Sequence, residues 1–101
     1  MRKITQEAVD AFEGGYKLSK QNMSVNEFGM FLHGNKIAEF TSLFKDSSRD
    51  INITLAGWNT NTTRERLNGL EGVRVSTKQG QAYLNGEKWD GEWVTIKRLT
   101  K

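Results

Sequence analysis

Residues 51–70 read INITLAGWNTNTTRERLNGL, and this stretch decides the fold. Ile51, Ile53 and Leu55 alternate with Asn52, Thr54 and Ala56, the period-2 pattern of a strand with one buried face. Gly57-Trp58 ends the strand. Asn59 to Thr63 is a polar run suited to opening a helix, and Thr62 with Glu65 fits the spacing of a capping box, Thr at the N-cap and Glu at the third helical position. Leu67 and Leu70 supply a short apolar stripe, and Gly69 or Gly72 can end the helix. The grammar is strand, aromatic corner, capped basic helix, and it contains no catalytic signature.

Working outward toward the N-terminus, Thr41 to Asp50 (TSLFKDSSRD) reads as a mobile loop, with Leu43 and Phe44 tucked against the core. Before it, Lys36 to Phe40 reads as a strand, joined through a Gly34-Asn35 hairpin signal to Phe28, Met30 and Leu32. Met23 and Val25 form an earlier run, and the phase break near Asn26-Glu27 implies a turn or bulge. Tyr16 to Gln21 is a basic and polar connection. At the start, Thr5 reads as an N-cap, Ile4 and Val9 as a hydrophobic staple, and Ala8, Val9 and Phe12 as one apolar face. Gly14-Gly15 stops this helix after about two turns, too short to stand without packing.

Toward the C-terminus, Val73 and Val75 open a strand that Lys78-Gln79-Gly80 turns back into Gln81 to Leu84. Asn85-Gly86 is the strongest hairpin dipeptide in the chain and suits a type I′ turn. Asp90-Gly91 offers a further turn, and Trp93 to Arg98 a closing strand. The second half therefore reads as a β-meander after a short helix. Leu32-His33-Gly34-Asn35-Lys36-Ile37 echoes Leu84-Asn85-Gly86-Glu87-Lys88-Trp89, and two hairpins converging on turn residues account for the echo better than a duplicated half.

The 101 residues bound the answer to one domain, residues 1–101. An apolar content of 36% points to a thin core or a partner-covered surface. The fold class that follows is α+β: two short helices packed on a twisted, mainly antiparallel β-sheet of about five to seven strands. The absence of Cys removes disulfides, thiol nucleophiles and thiolate metal sites. Neither a signal-peptide pattern nor an apolar run of spanning length is present, so no membrane is expected. The net charge of +3 lies in the second half, where residues 51–101 hold eight basic and five acidic side chains. That is a mild lean toward anions, far from a dense basic stripe.

Few residues propose chemistry. His33 is the one histidine; it sits beside a turn with no nucleophile or orienting acid in a matching motif. Asp46 and Asp50 lack the neighbours of a calcium loop, and Glu87, Asp90 and Glu92 read as solubilising residues at strand edges. No phosphate-binding glycine motif is present. The expectation is no catalytic residue, no metal and no cofactor. Trp58 is the exception. It stands before a helix start, where free N–H groups favour anions. Its ring can stack a base, and Thr60, Thr62 and Thr63 can meet phosphate oxygens. With Arg64 and Arg66 these make the candidate binding set. Both arginines are expected to be exposed, with stems along the Leu67–Leu70 stripe and guanidinium groups in water.

AGWNTNTTRERLNGLEGV at residues 56–73 and YLNGEKWDGEW at residues 83–93 resemble short proteins encoded by tailed bacteriophages and prophages, as do ITQEAVDAF at 4–12 and LHGNKIA at 32–38. The resemblance covers most of the chain and carries no activity over to particular residues. It implies a cytoplasmic protein of an infected bacterium. It also implies a non-enzymatic accessory role, binding a host or phage protein, including host-defence complexes of the CRISPR or restriction type, which are nucleoproteins or act on nucleic acid. The alternative partner is nucleic acid itself, held by the basic, Trp-containing surface at residues 58–66.

Overall fold

The computed structural model describes residues 2–41 and 50–98. Helix α1 (Lys3–Gly14) comes first. Four strands follow: β1 (Leu18–Lys20), β2 (Met23–Asn26), β3 (Gly29–Leu32) and β4 (Asn35–Phe40). Then come β5 (Ile51–Ile53), helix α2 (Asn61–Asn68), and β6 (Val75–Lys78), β7 (Gln81–Leu84), β8 (Glu87–Lys88) and β9 (Val94–Ile96). The fold is α+β. Six strands form one sheet in the order β1-β2-β3-β4-β5-β9, and β6-β7-β8 form a second. Every pairing is antiparallel.

Alternation works where one sheet face is buried. Met23 and Val25 point inward from β2, and Ile51 and Ile53 from β5. Their apolar surface meets Ile4, Ala8, Val9, Ala11 and Phe12 of α1 and Leu67 of α2 in one core, which also takes in Val75 and Ala82 of the small sheet and Trp89 beyond it. Burying a branched aliphatic side chain is worth about 1.5–3 kcal/mol, so this shared core holds the layers together. Phe12 and Phe40 stack with ring centroids 4.5 Å apart.

The turns refine the reading. Asn26 and Gly29 close a tight β2–β3 hairpin, in which the Phe28 N–H donates to Asn26 Oδ1 at 2.8 Å. Phe28 therefore sits exposed on the turn rather than continuing the β3 run. The bulge lies one step on, between Met30 and Phe31 against β4. A Cβ on Gly29 would stand 2.3 Å from the Ala38 carbonyl oxygen, so the crossing needs glycine there. The β3–β4 turn is His33-Gly34, with φ 53° and 81°, and Asn35 already belongs to β4. Asn85 and Gly86, with φ 51° and 90°, occupy the β7–β8 turn as the dipeptide predicts. The two similar hexapeptides are thus both two-residue hairpins.

Four expectations are corrected. Helix α1 starts at Lys3 and runs 12 residues, with Arg2 as its N-cap. Thr5 lies inside it, buried against α2, so neither the Thr5 cap nor the Ile4–Val9 staple forms as read. Residues 18–20 form an edge strand that no apolar alternation marked, because three residues with one apolar side chain, Leu18, are too few to show a period. The second half is not one meander, since β9 leaves the small sheet and pairs with β5. The Asp90-Gly91 turn redirects it. Asp90 Oδ1 accepts from the Glu92 N–H, and the Gly91 carbonyl accepts from Leu55 N and Thr54 Oγ1 at 2.9 and 2.7 Å. Lastly, α2 is capped by Thr60 rather than Thr62, with Thr60 Oγ1 accepting from Thr63 N at 3.2 Å. Leu43, Phe44 and Asp46, and the loop reading built on them, fall at residues 42–49, outside the described residues.

The cap assignment is testable. Thr60→Ala is expected to lower unfolding stability by about 1 kcal/mol, and Thr62→Ala by much less. Urea denaturation of the two variants beside the parent chain measures both.

Candidate functional site

The chain after β5 does not run straight into α2. Ala56 and Gly57 take φ 54° and 83°, and the Trp58 N–H donates to the Leu55 carbonyl at 2.9 Å, closing a tight turn. That turn throws the Trp58 ring outward, where it is 59% exposed. Asn59 and Thr60 then lead into α2. Between this corner and the β3–β4 turn lies a cleft of ≈ 530 Å³. Leu32, Ile37, Leu55 and Ala56 supply its apolar surface, His33, Asn35 and Trp58 its rim, and Thr60, Thr62 and Thr63 the α2 wall. A shallower depression of ≈ 400 Å³ adjoins it through Asn35 and Ala56 and is bordered by Lys36, Glu92 and Trp93. Trp93 is 49% exposed, so two open indole rings border the joined surface.

Four of the six residues singled out from sequence line this cleft: Trp58, Thr60, Thr62 and Thr63. The arginines do not. Arg64 folds back over the helix start, donating from Nη1 to Asn59 Oδ1 and from Nη2 to Asn61 Oδ1. Arg66 is 3% exposed, which corrects the expectation of two arginines in water. The reason is helical geometry. Thr63, Arg66, Leu67 and Leu70 stand at i, i+3, i+4 and i+7, so position 66 belongs to the same stripe as the two leucines. All four are buried. The same arithmetic, extended from two leucines to four positions, is the signal that finds this. His33 and Asn35, contributed by a distant hairpin, carried no such signal.

A buried guanidinium must be paired. Arg66 Nη1 donates to Thr5 Oγ1 at 2.7 Å and to Glu65 Oε1. Thr5 Oγ1 in turn donates to Glu65 Oε1 at 2.7 Å, and the Arg2 N–H donates to Glu65 Oε2 at 3.2 Å. One carboxylate thus receives a hydroxyl, a guanidinium and an N–H from the start of α1. Burial pushes the Glu65 carboxyl up. The Thr5 hydroxyl, the Arg2 N–H and the nearby arginine charges outweigh it and hold the group below its ordinary 4.5. Arg98 is a second buried arginine, held by Glu13 through bonds of 2.7 and 3.0 Å and lying over the Phe40 ring. Two of the eight basic side chains in the second half are therefore spent inside the molecule. No group of acids and histidines among the described residues is placed to hold a metal. No helix among them is long and apolar enough to cross a membrane.

A family model described as Kyanoviridae Gp96 protein matches residues 1–100. No curated protein and no solved structure matches the chain.

The depressed Glu65 carboxyl fixes a pH dependence. Its contribution to stability is complete above 4.5, the ordinary value, and is lost as pH falls through the lower folded value. Glu7 is also held low, chiefly by accepting from Lys20 Nζ, so the parent chain alone does not isolate Glu65. The difference between parent and Glu65→Gln does. In urea titrations it is expected to be largest at neutral pH and to narrow on acidification below pH 4.5.

Proposed function

This chain belongs to the Kyanoviridae Gp96 protein family, a family of phage proteins, and on that premise we propose a non-catalytic accessory protein that binds another protein through the Trp58–Trp93 surface. The observation that carries the reading is two open tryptophans beside an apolar-lined cleft. Exposed apolar area bordered by polar groups marks interaction sites, and tryptophan is enriched among the residues that dominate binding energy. The chemistry of the cleft supports binding rather than catalysis. Among the described residues His33 is the one titratable side chain lining it, and the Thr60 and Thr63 hydroxyls are engaged with each other at 3.0 Å. The partner is a host or phage protein, and on the phage context a host-defence complex belongs to that class.

Nucleic acid is the weaker reading. Phosphate binding draws its strength from lysine and arginine, and no cation among the described residues lines the larger cleft. Arg64 is turned onto two asparagines and Arg66 faces inward. Trp58 and Trp93 offer stacking without a cation beside them in the larger cleft.

The test compares the full chain with a Trp58→Ala, Trp93→Ala double variant, both used to capture partners from bacterial lysate. The parent is expected to retain a protein through nuclease treatment and raised salt. The double variant is expected to lose more than about 2 kcal/mol of binding, the scale of a hot spot, while keeping its melting temperature. Retention that nuclease or salt abolishes would replace this reading with nucleic-acid binding.

A further inference from the structure

We infer that the cleft between the β3–β4 turn and the start of α2 receives an uncharged apolar side chain, aromatic or branched, from a short segment of the protein partner. The inference rests on the partner-binding reading above and adds which part of the surface anchors the partner, and by what chemistry.

Size is the first argument. At ≈ 530 Å³ the cleft falls within the span of sites that enclose a ligand and has room for a side chain together with its flanking backbone. Its surface includes Leu32, Ile37 and Leu55, each more than nine-tenths buried at the level of the whole residue. Little of these three side chains is open to water, so the apolar surface that an incoming group covers is chiefly that of half-buried Ala56 and the exposed Trp58 ring.

Charge is the second argument, and it selects the occupant. None of the lining residues carries a fixed charge. A phosphate, carboxylate, ammonium or guanidinium entering here would lose hydration and gain no opposite charge. The complementary chemistry is neutral. The adjoining depression repeats the balance, since Lys36 and Glu92 border it with opposite signs and Lys36 already pairs with Glu39 at 3.1 Å.

The rim is the third. The open Trp58 ring gives an incoming aromatic a face to stack on. Asn35 and Thr62 carry the amide and hydroxyl groups that a peptide backbone can pair with. Past Asn35 and Ala56 the surface continues toward Trp93, so a segment anchored in the larger cleft has a path onward.

The experiment is a methyl-resolved NMR titration of the full chain with three probes: N-acetyl-L-phenylalaninamide, N-acetyl-L-lysinamide and a single-stranded oligothymidylate. The phenylalaninamide is expected to shift the Leu32, Ile37 and Leu55 methyl resonances saturably at millimolar concentration, with no change as salt is raised. The lysinamide is expected to leave them in place. Thr62→Trp, which puts a ring into the cleft, is expected to weaken the phenylalaninamide about tenfold. Absence of saturable shifts with the phenylalaninamide on the unsubstituted chain overturns the inference, and needs no variant to fold. Oligothymidylate shifts at the same methyls that disappear with salt also overturn it, in favour of nucleic acid. If the phenylalaninamide fails while the Trp58→Ala, Trp93→Ala variant still loses its captured protein, the anchor cleft falls and the partner-binding reading stands. If capture survives the double substitution, the partner-binding reading falls and takes this inference with it.

Discussion

A buried arginine sets the terms for the rest of the molecule. Arg66 sits in the middle of the inward stripe of α2, where an unpaired charge would cost several kcal/mol. The chain meets that constraint with Thr5 and Glu65. Glu65 also accepts the Arg2 N–H at the start of α1, so one carboxylate caps the first helix and neutralises the second. The two helices are thereby fixed against each other by polar contacts laid over the apolar core. With Arg66 turned inward, Thr62 and Thr63 of the same helix line the cleft beside Trp58.

The same logic recurs at the other buried arginine. Arg98 holds the chain after β9 against α1 through Glu13 and lies over the Phe40 ring. Its N–H donates to Asp50 Oδ1 at 2.8 Å, which ties the chain just after β9 to the residue just before β5. A chain whose net charge invites a search for anion-binding surface therefore uses two of its arginines, Arg66 and Arg98, as internal fasteners. Its large apolar side chains left open are Trp58 and Trp93 at the cleft, and Tyr16 and Phe28 elsewhere on the surface.

Much of this was legible in the sequence, and the exceptions have physical causes. Alternation marks β2 and β5 because each buries one face, and Asn85-Gly86 marks its turn because few other residues adopt that backbone. β1 was hidden because an edge strand carries little apolar signal. The move of β9 into the larger sheet was hidden because neighbouring strands usually pair in order, and nothing local in Trp93 to Arg98 announces a distant partner. Four residues of the cleft could be read from the Trp58–Thr63 run. His33 and Asn35 could not, since only the three-dimensional hairpin brings them there. Arg66 was misread for the opposite reason: its chemistry argued for water while its helical position argued for the core, and position prevailed because Thr5 and Glu65 were available to pair it.

The Thr5–Glu65–Arg66 contacts, and not the leucine stripe alone, are expected to hold α2 in place over α1. A double-mutant cycle of Thr5→Val and Arg66→Met, read as unfolding free energy in urea at neutral pH, tests it most directly. The account predicts non-additivity on the order of 1 kcal/mol or more between the two substitutions, as expected for residues in one hydrogen-bonded network. Additivity within about 0.3 kcal/mol would contradict it, since that is the behaviour of independent sites.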